Sequence, residues 1–289
     1  MIAALLTGLC DDAALFPPGD APMPAAVVAH AGYRSGDVSP LVGPFVVPVG
    51  RLGELAEQRP AAIDLSVTFP AGPAELIAGL DAARAIDGVR VAAVEIASGA
   101  ELSASDFAAA VTAAADALDG VDVYVEIPRG ERRPGYLAVV AENGWRAKFR
   151  TGGVVAEAYP DEAELAAAVH RVVASGVPFK ATAGLHHAVR NTDPVTGFEQ
   201  HGFVNLLVAT ADALAGATPA ALVDVLGERD GATLAARLND LDDDTVRAVR
   251  GAFRSYGTCS IAEPVADLTD LGLLELDAEL VANSEGQSS

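Results

Sequence analysis

From residue 43 onward the chain repeats one unit, a short apolar run followed by a longer Ala-rich stretch with helical spacing. The apolar runs are FVVPV (45–49), AIDLSVTF (62–69), VRVAAVEIA (89–97), VDVYVEIP (121–128), WRAKFRTG (145–152) and PFKATAG (178–184). A short segment at 232–238, ATLAARL, and SYGTCSIA at 255–262 complete the series. Helical stretches such as SDFAAAVTAAADAL (105–118) and DEAELAAAVHRVVASG (161–176) separate them. Alternation of eight strands with helices predicts an α/β fold, a (β/α)8 TIM barrel with a parallel sheet. The Pro- and Gly-rich residues 1–42 read as an N-terminal extension packing on the barrel, 43–282 as the barrel, and the polar residues 283–289 as a disordered tail.

Period-two alternation divides each strand into two faces. In AIDLSVTF, Ile63, Leu65, Val67 and Phe69 oppose Asp64, Ser66 and Thr68; in VDVYVEI, the valines oppose Asp122, Tyr124 and Glu126. Lys148 and Arg150 share one face of the fifth run, and Lys180 and Thr182 one face of the sixth. An open sheet covered on both sides would show near-continuous apolar strands, so one polar face per strand indicates a barrel interior. The same parity places Glu95 inside, Asp64 deeper, and Thr258 and Ser260 inside from the last strand. C-terminal strand ends build the active site in such barrels, and most of these polar residues fall late in their strands.

A formal charge of −21 argues against nucleic acid or an anionic membrane as partner, and no apolar run reaches the length of a membrane span. A homo-oligomer is left open. Cys10 and Cys259 are distant in sequence and form no metal-type cluster, and the N-terminus has no basic leader, so a reducing cytoplasm is expected. No cofactor is expected, since neither a dinucleotide fingerprint nor a phosphate-binding Walker loop is present.

Nineteen Lys and Arg residues include only two lysines, Lys148 and Lys180, and both sit in apolar strands beside Thr and Gly. On adjacent strands about 5 Å apart, two ammonium groups repel, and one then loses its proton more easily. A neutral amine is a nucleophile toward carbonyls, the logic of a Schiff-base lysine tuned by a second cation. Glu95 and Glu126 are placed to shuttle the protons. Arg150 can clamp a carboxylate or phosphate.

KFRTGG and KATAGL, with their lysines 32 residues apart, resemble strands of class I aldolases of the deoxyribose-phosphate aldolase type. The resemblance implies a (β/α)8 barrel with Lys148 forming the imine and Lys180 tuning it. Gly152, Gly153 and Gly184 would then let a phosphate or carbonyl oxygen approach closely, with Thr151 and Thr182 in the same substrate-binding set. Arg150 stands where the family has a small residue. The family carries its lysines on strands six and seven; here they fall on five and six unless a strand near AAVVAHA (25–31) is added.

The loop after the second lysine carries His186 and His187, read as substrate hydrogen-bonding or acid–base residues rather than metal ligands. His201, Gly202 and Asn205 open the next helix, whose N-terminal amides can hold an anion. Asp11 and Asp12 read as a cap and turn, and Cys259 as a core residue on the outward face. The expectation is an aldolase or lyase acting on a small polar or phosphorylated carbonyl compound. The alternatives are a non-covalent isomerase or phosphoribosyl-type transferase using the cations as anion clamps, and a barrel that binds a small acid without catalysis.

Overall fold

The computed structural model describes residues 2–99 and 101–275, so the tail expected at 283–289 lies outside the described residues. Eight parallel strands close a barrel: β1 (Cys10–Asp12), β2 (Val42–Pro48), β3 (Ile63–Phe69), β4 (Val89–Ile96), β5 (Asp122–Glu126), β6 (Arg146–Arg150), β7 (Phe179–Thr182) and β8 (Phe253–Thr258). Around them run α1 (Ile2–Leu6), α2 (Met23–Ser35), α3 (Leu52–Gln58), α4 (Leu76–Arg84), α5 (Ala104–Thr112) and α6 (Arg133–Glu142). They are followed by α7 (Glu162–Ala174), α8 (Phe203–Leu214), α9 (Pro219–Gly227), α10 (Gly231–Asn239), α11 (Asp243–Ala252) and α12 (Ala262–Asp270). None of the described helices is long and apolar enough to cross a membrane.

Two expectations about strand membership are corrected. Residues 232–238 belong to α10, whose buried Leu234, Ala235 and Leu238 follow helical spacing and whose first turn is capped by Asp230. The missing strand is β1, within the segment expected to pack on the barrel as an extension. It fills the gap between β2 and β8, with Asp11 opposite Gly257 and Cys10 opposite both Tyr256 and Val42. AAVVAHA is part of α2. Counted with β1, Lys148 lies on strand six and Lys180 on strand seven.

The outward strand faces are apolar because helices cover them. Leu65, Val67 and Phe69 of β3 and Val123 and Val125 of β5 are buried in the outer core. On the β6–β7–β8 side the cover is aromatic. Phe179 stacks on Phe253 with centroids 5.1 Å apart, and Tyr256 stacks on Phe203 of α8 at 4.8 Å. Each such ring contributes about 1.5–3 kcal/mol by leaving water.

The stacking of Tyr256 also corrects the parity of the last strand. Ser255 and Gly257 face inward, and Thr258 turns its hydroxyl to the Ser260 carbonyl. A shift of register between Phe253 and Ser255 accompanies this placement.

Removal of residues 1–20 should leave β2 and β8 as open edges, and a chain so truncated should show no cooperative thermal transition by near-ultraviolet circular dichroism. A transition within a few degrees of the full chain would mean that the segment only caps the barrel.

Candidate functional site

Register sets the centre of the barrel. Lys148 lies opposite Lys180 across β6 and β7, and Glu126 of β5 lies opposite Lys148. The two ammonium groups do not face each other unscreened, because Glu95 of β4 reaches between them. Its Oε2 is 2.9 Å from Lys148 Nζ and its Oε1 is 2.5 Å from Lys180 Nζ. Lys180 also meets Asp11 Oδ2 at 2.5 Å, and Lys148 meets Glu126 Oε2 at 3.3 Å. Arg150 Nε ends the series 3.6 Å from Glu126 Oε1. Hydroxyls complete the buried carboxylates: Ser66 donates to Glu95 and Ser255 to Asp11. The Lys180 ammonium also lies 5.2 Å from the centroid of the Tyr124 ring, whose face attracts a cation.

The chain of charges runs from the interior to solvent. The side chain of Lys180 is 1% exposed, that of Lys148 9%, Glu126 24% and Arg150 50%. Three cations face three carboxylates, so the resting cluster is balanced.

Of the two lysines, Lys180 is the one held protonated. Burial alone pushes this ammonium down, but Asp11 and Glu95 outweigh it and hold the group above its usual range. Burial raises Glu95, yet Lys148 and Lys180 carry it well below the ordinary carboxylate range. For Asp11 burial prevails over the attraction of Lys180 and the carboxyl is raised. Lys180 is therefore a fixed cation beside Lys148.

Other expected contributors fall elsewhere. Asp64 keeps the inward parity but emerges at the N-terminal mouth, paired with Arg90 in solvent. Gly152 and Gly184 are required by the chain itself: a Cβ on either would lie 2.7 Å from the ring of Tyr159, which fills the space reserved for a ligand oxygen. A Cβ on Gly153 would meet Ala158 at 2.8 Å. Thr151 is fully buried and donates to the Thr182 and Ala183 carbonyls, pinning Ala183 in the left-handed region at φ 65°. Thr182 remains at the mouth, next to Gly257.

Asn205 is fully buried and spends its amide on its own fold. It accepts from the Arg190 amide and donates to the Val225 and Glu228 carbonyls. At the start of α8, the Phe203 and Val204 amides bond the His187 and Ala188 carbonyls, so this helix end serves the chain rather than a ligand anion. His201 is likewise buried against the Pro160 carbonyl.

His187 pairs with Asp267 of α12 at 3.1 Å. His186 Nδ1 lies 3.4 Å from Cys259 Sγ and 3.7 Å from Glu263 Oε2. Cys259 is thus a rim residue just past β8, not part of the outer core, and burial pushes its thiol up to about 11. Burial also lowers His186, leaving a neutral imidazole.

Asp11 and Ser255 are the site residues that the sequence pattern missed. Three inward cations with only Glu95 and Glu126 close by demanded a further buried carboxylate, and that imbalance is the signal that pointed to one.

No family model matches the chain, and no curated protein matches it in sequence. Among solved structures it is similar to a lysine/ornithine decarboxylase from Vibrio vulnificus, determined with cadaverine. The identity is 14%, the TM-score 0.43 and the coverage 89% of this chain, which spans 58% of the decarboxylase chain. It is also similar to the deoxyribose phosphate aldolase of Aeropyrum pernix, a tetramer, at 15% identity and TM-score 0.39, over 93% of both chains. At these identities the likeness is one of fold.

Glu95 and Lys180 tie stability to pH at both ends of the scale. The Glu95 carboxyl titrates lower in the folded chain, so it stabilises above its ordinary value of 4.5 and that contribution is lost as the pH falls below it. The Lys180 ammonium titrates higher in the folded chain, so its contribution is complete below its ordinary value of 10.5 and is lost as the pH rises above it. Glu95→Gln should flatten the acid limb of a stability-against-pH profile, and Lys180→Met the alkaline limb. At pH 7, Lys180→Met should cost roughly 3–5 kcal/mol in denaturant unfolding, because two buried carboxylates lose a shared cation. Limbs unchanged from wild type in both variants would show that other groups govern the profile.

Proposed function

We propose that this chain is a Schiff-base enzyme of the aldolase or lyase kind, with Lys148 forming an imine to a small polar or phosphorylated carbonyl compound. The observation that carries this reading is the pair of lysines on adjacent strands, bound to the two oxygens of Glu95 inside the barrel. Lys180, enclosed by Asp11 and Glu95, keeps its proton and acts as a fixed positive charge. Lys148, nearer the mouth, is the nucleophile.

Lys148 first passes a proton to Glu126, the carboxylate that solvent reaches. The freed nitrogen attacks the carbonyl carbon, and the C=O electron pair moves to oxygen, which takes a proton from the carboxylic acid. A proton then moves from the nitrogen through Glu126 to the hydroxyl, which leaves as water, and the iminium ion remains. The bond between the α and β carbons then breaks with its electrons entering the iminium as an enamine. The β-hydroxyl gives its proton to the Glu126 carboxylate as it becomes the aldehyde carbonyl. Arg150, half exposed at the mouth, holds the substrate phosphate or carboxylate; moving toward that anion loosens its contact with Glu126 and frees the base.

The anion-clamp isomerase or transferase and the non-catalytic acid binder both need interior cations open to a ligand. Each lysine already faces carboxylates, which leaves Arg150 as the cation in easiest reach.

Borohydride reduction in the presence of small aldehydes, 2-oxo acids and sugar phosphates should label Lys148, as read by peptide mass spectrometry. Lys148→Met should abolish labelling and Lys180→Met weaken it. With the compound that labels best, Glu126→Gln should lower kcat by about 10²–10⁴-fold. A folded protein that no carbonyl labels would overturn the imine reading in favour of the anion-clamp or acid-binding alternatives.

A further inference from the structure

At the C-terminal rim of the barrel the loop after β7 meets the segment that follows β8. His186 comes from the first, Cys259 from the second, and Glu263 from the first turn of α12. One nitrogen, one sulfur and one carboxylate oxygen from these residues all lie within 4.8 Å of one another. Cys259 Sγ and Glu263 Oε2 both approach the same ring nitrogen, Nδ1 of His186, at 3.4 and 3.7 Å.

That convergence separates two chemistries. A thiol–imidazole–carboxylate relay needs its thiol and its acid on opposite ring nitrogens, so that the acid orients the ring while the other nitrogen takes the proton. Here one nitrogen faces both groups, an arrangement that surrounds a point in space. A tetrahedral zinc ion with Zn–S about 2.3 Å and Zn–N or Zn–O about 2.0–2.1 Å separates its ligand atoms by roughly 3.3–3.6 Å, close to the two edges found.

Glu263 Oε2 supplies an independent sign. Although the Glu263 side chain as a whole is 44% exposed, this one oxygen is shielded from water, has no hydrogen-bond partner and lies 3.7 Å from the imidazole. A buried acceptor without a partner is costly, and a cation at the centre of the cluster would satisfy it. The surroundings are also tight: a Cβ on Gly19, in the loop after β1, would sit 3.0 Å from the Cβ of Cys259, so the thiol is held in place from a third loop.

We propose that His186, Cys259 and Glu263 bind one divalent cation of the zinc class at the rim of the barrel. The mixed N, S and O set suits a borderline ion and excludes magnesium or calcium, which take oxygen ligands. Three protein ligands leave a fourth position for water or for a ligand oxygen. The ion joins the β7 loop to α12, and its binding displaces the thiol proton. This site shares no residue with the lysine cluster, and its assignment does not depend on the imine reading.

The full chain, stripped of metal with a chelator, is titrated with Co²⁺ and then with Zn²⁺. One Co²⁺ per chain should bind with a thiolate-to-cobalt absorption band in the near ultraviolet, and Zn²⁺ should displace it. Cys259→Ser should remove the band, and Cys10→Ser should retain it. His186→Gln and Glu263→Gln, changes at a rim that leave the strands untouched, should each weaken Co²⁺ affinity by about tenfold or more. Absence of stoichiometric binding, a band that survives Cys259→Ser, or affinities unchanged in both His186→Gln and Glu263→Gln would overturn the assignment.

Discussion

The barrel interior depends on one carboxylate shared by two ammonium groups. Lysines opposite each other on adjacent parallel strands would repel in the low-dielectric interior, and taking each from water costs several kcal/mol. Glu95 resolves both problems because it arises from β4, across the barrel, and offers one oxygen to each. That geometry requires closure. In an open sheet β4 and β7 would lie apart, whereas in the ring the alternation Asp11, Lys180, Glu95, Lys148, Glu126, Arg150 crosses the interior without a gap. The short strand β1 is therefore both a wall and the source of the carboxylate that meets Lys180 on its other side.

The rim obeys different rules. Several features that suggest ligand binding in a linear reading belong to the packing of loops on strand ends. The glycines after β6 and β7 admit the Tyr159 ring, and Thr151 fixes the turn at Ala183 through two hydroxyl contacts. The amides at the start of α8 and the side chain of Asn205 hold the long passage from β7 to β8, which carries four helices before the last strand. Tyr159 approaches Phe198 of that passage, with centroids 5.5 Å apart, so the β6 and β7 loops are joined through aromatic contact rather than around a ligand.

What could be read beforehand follows from periodicity. Six strands with clear alternation, β2 to β7, are visible in the sequence, and with them the inward placement of Glu95, Glu126, Lys148, Arg150, Lys180 and Thr182. β1 is invisible to that test because three residues, Cys10 to Asp12, cannot display a period. The parity of β8 does not follow from the pattern that places Thr258 and Ser260 inside, because the register shifts between Phe253 and Ser255 and the ring of Tyr256 belongs with Phe203 outside. The mixed cluster at the rim cannot be seen in spacing at all: His186 and Cys259 are 73 residues apart and meet only because the barrel closes.

Charge balance in the cluster bears directly on substrate choice. With a net charge of −21 on the chain, an anion approaching from solvent is repelled at long range, although salt screens that field beyond about 8–10 Å. Inside, a phosphate or carboxylate finds no lysine without a carboxylate partner, and the half-exposed Arg150 is the cation it reaches first. A dianion deep in the barrel would have to draw Lys148 away from Glu95 and Glu126, costing each carboxylate one of its two cations. On the imine reading proposed above, the arrangement favours compounds with their carbonyl directed inward to Lys148 and their anionic group kept at the half-exposed arginine.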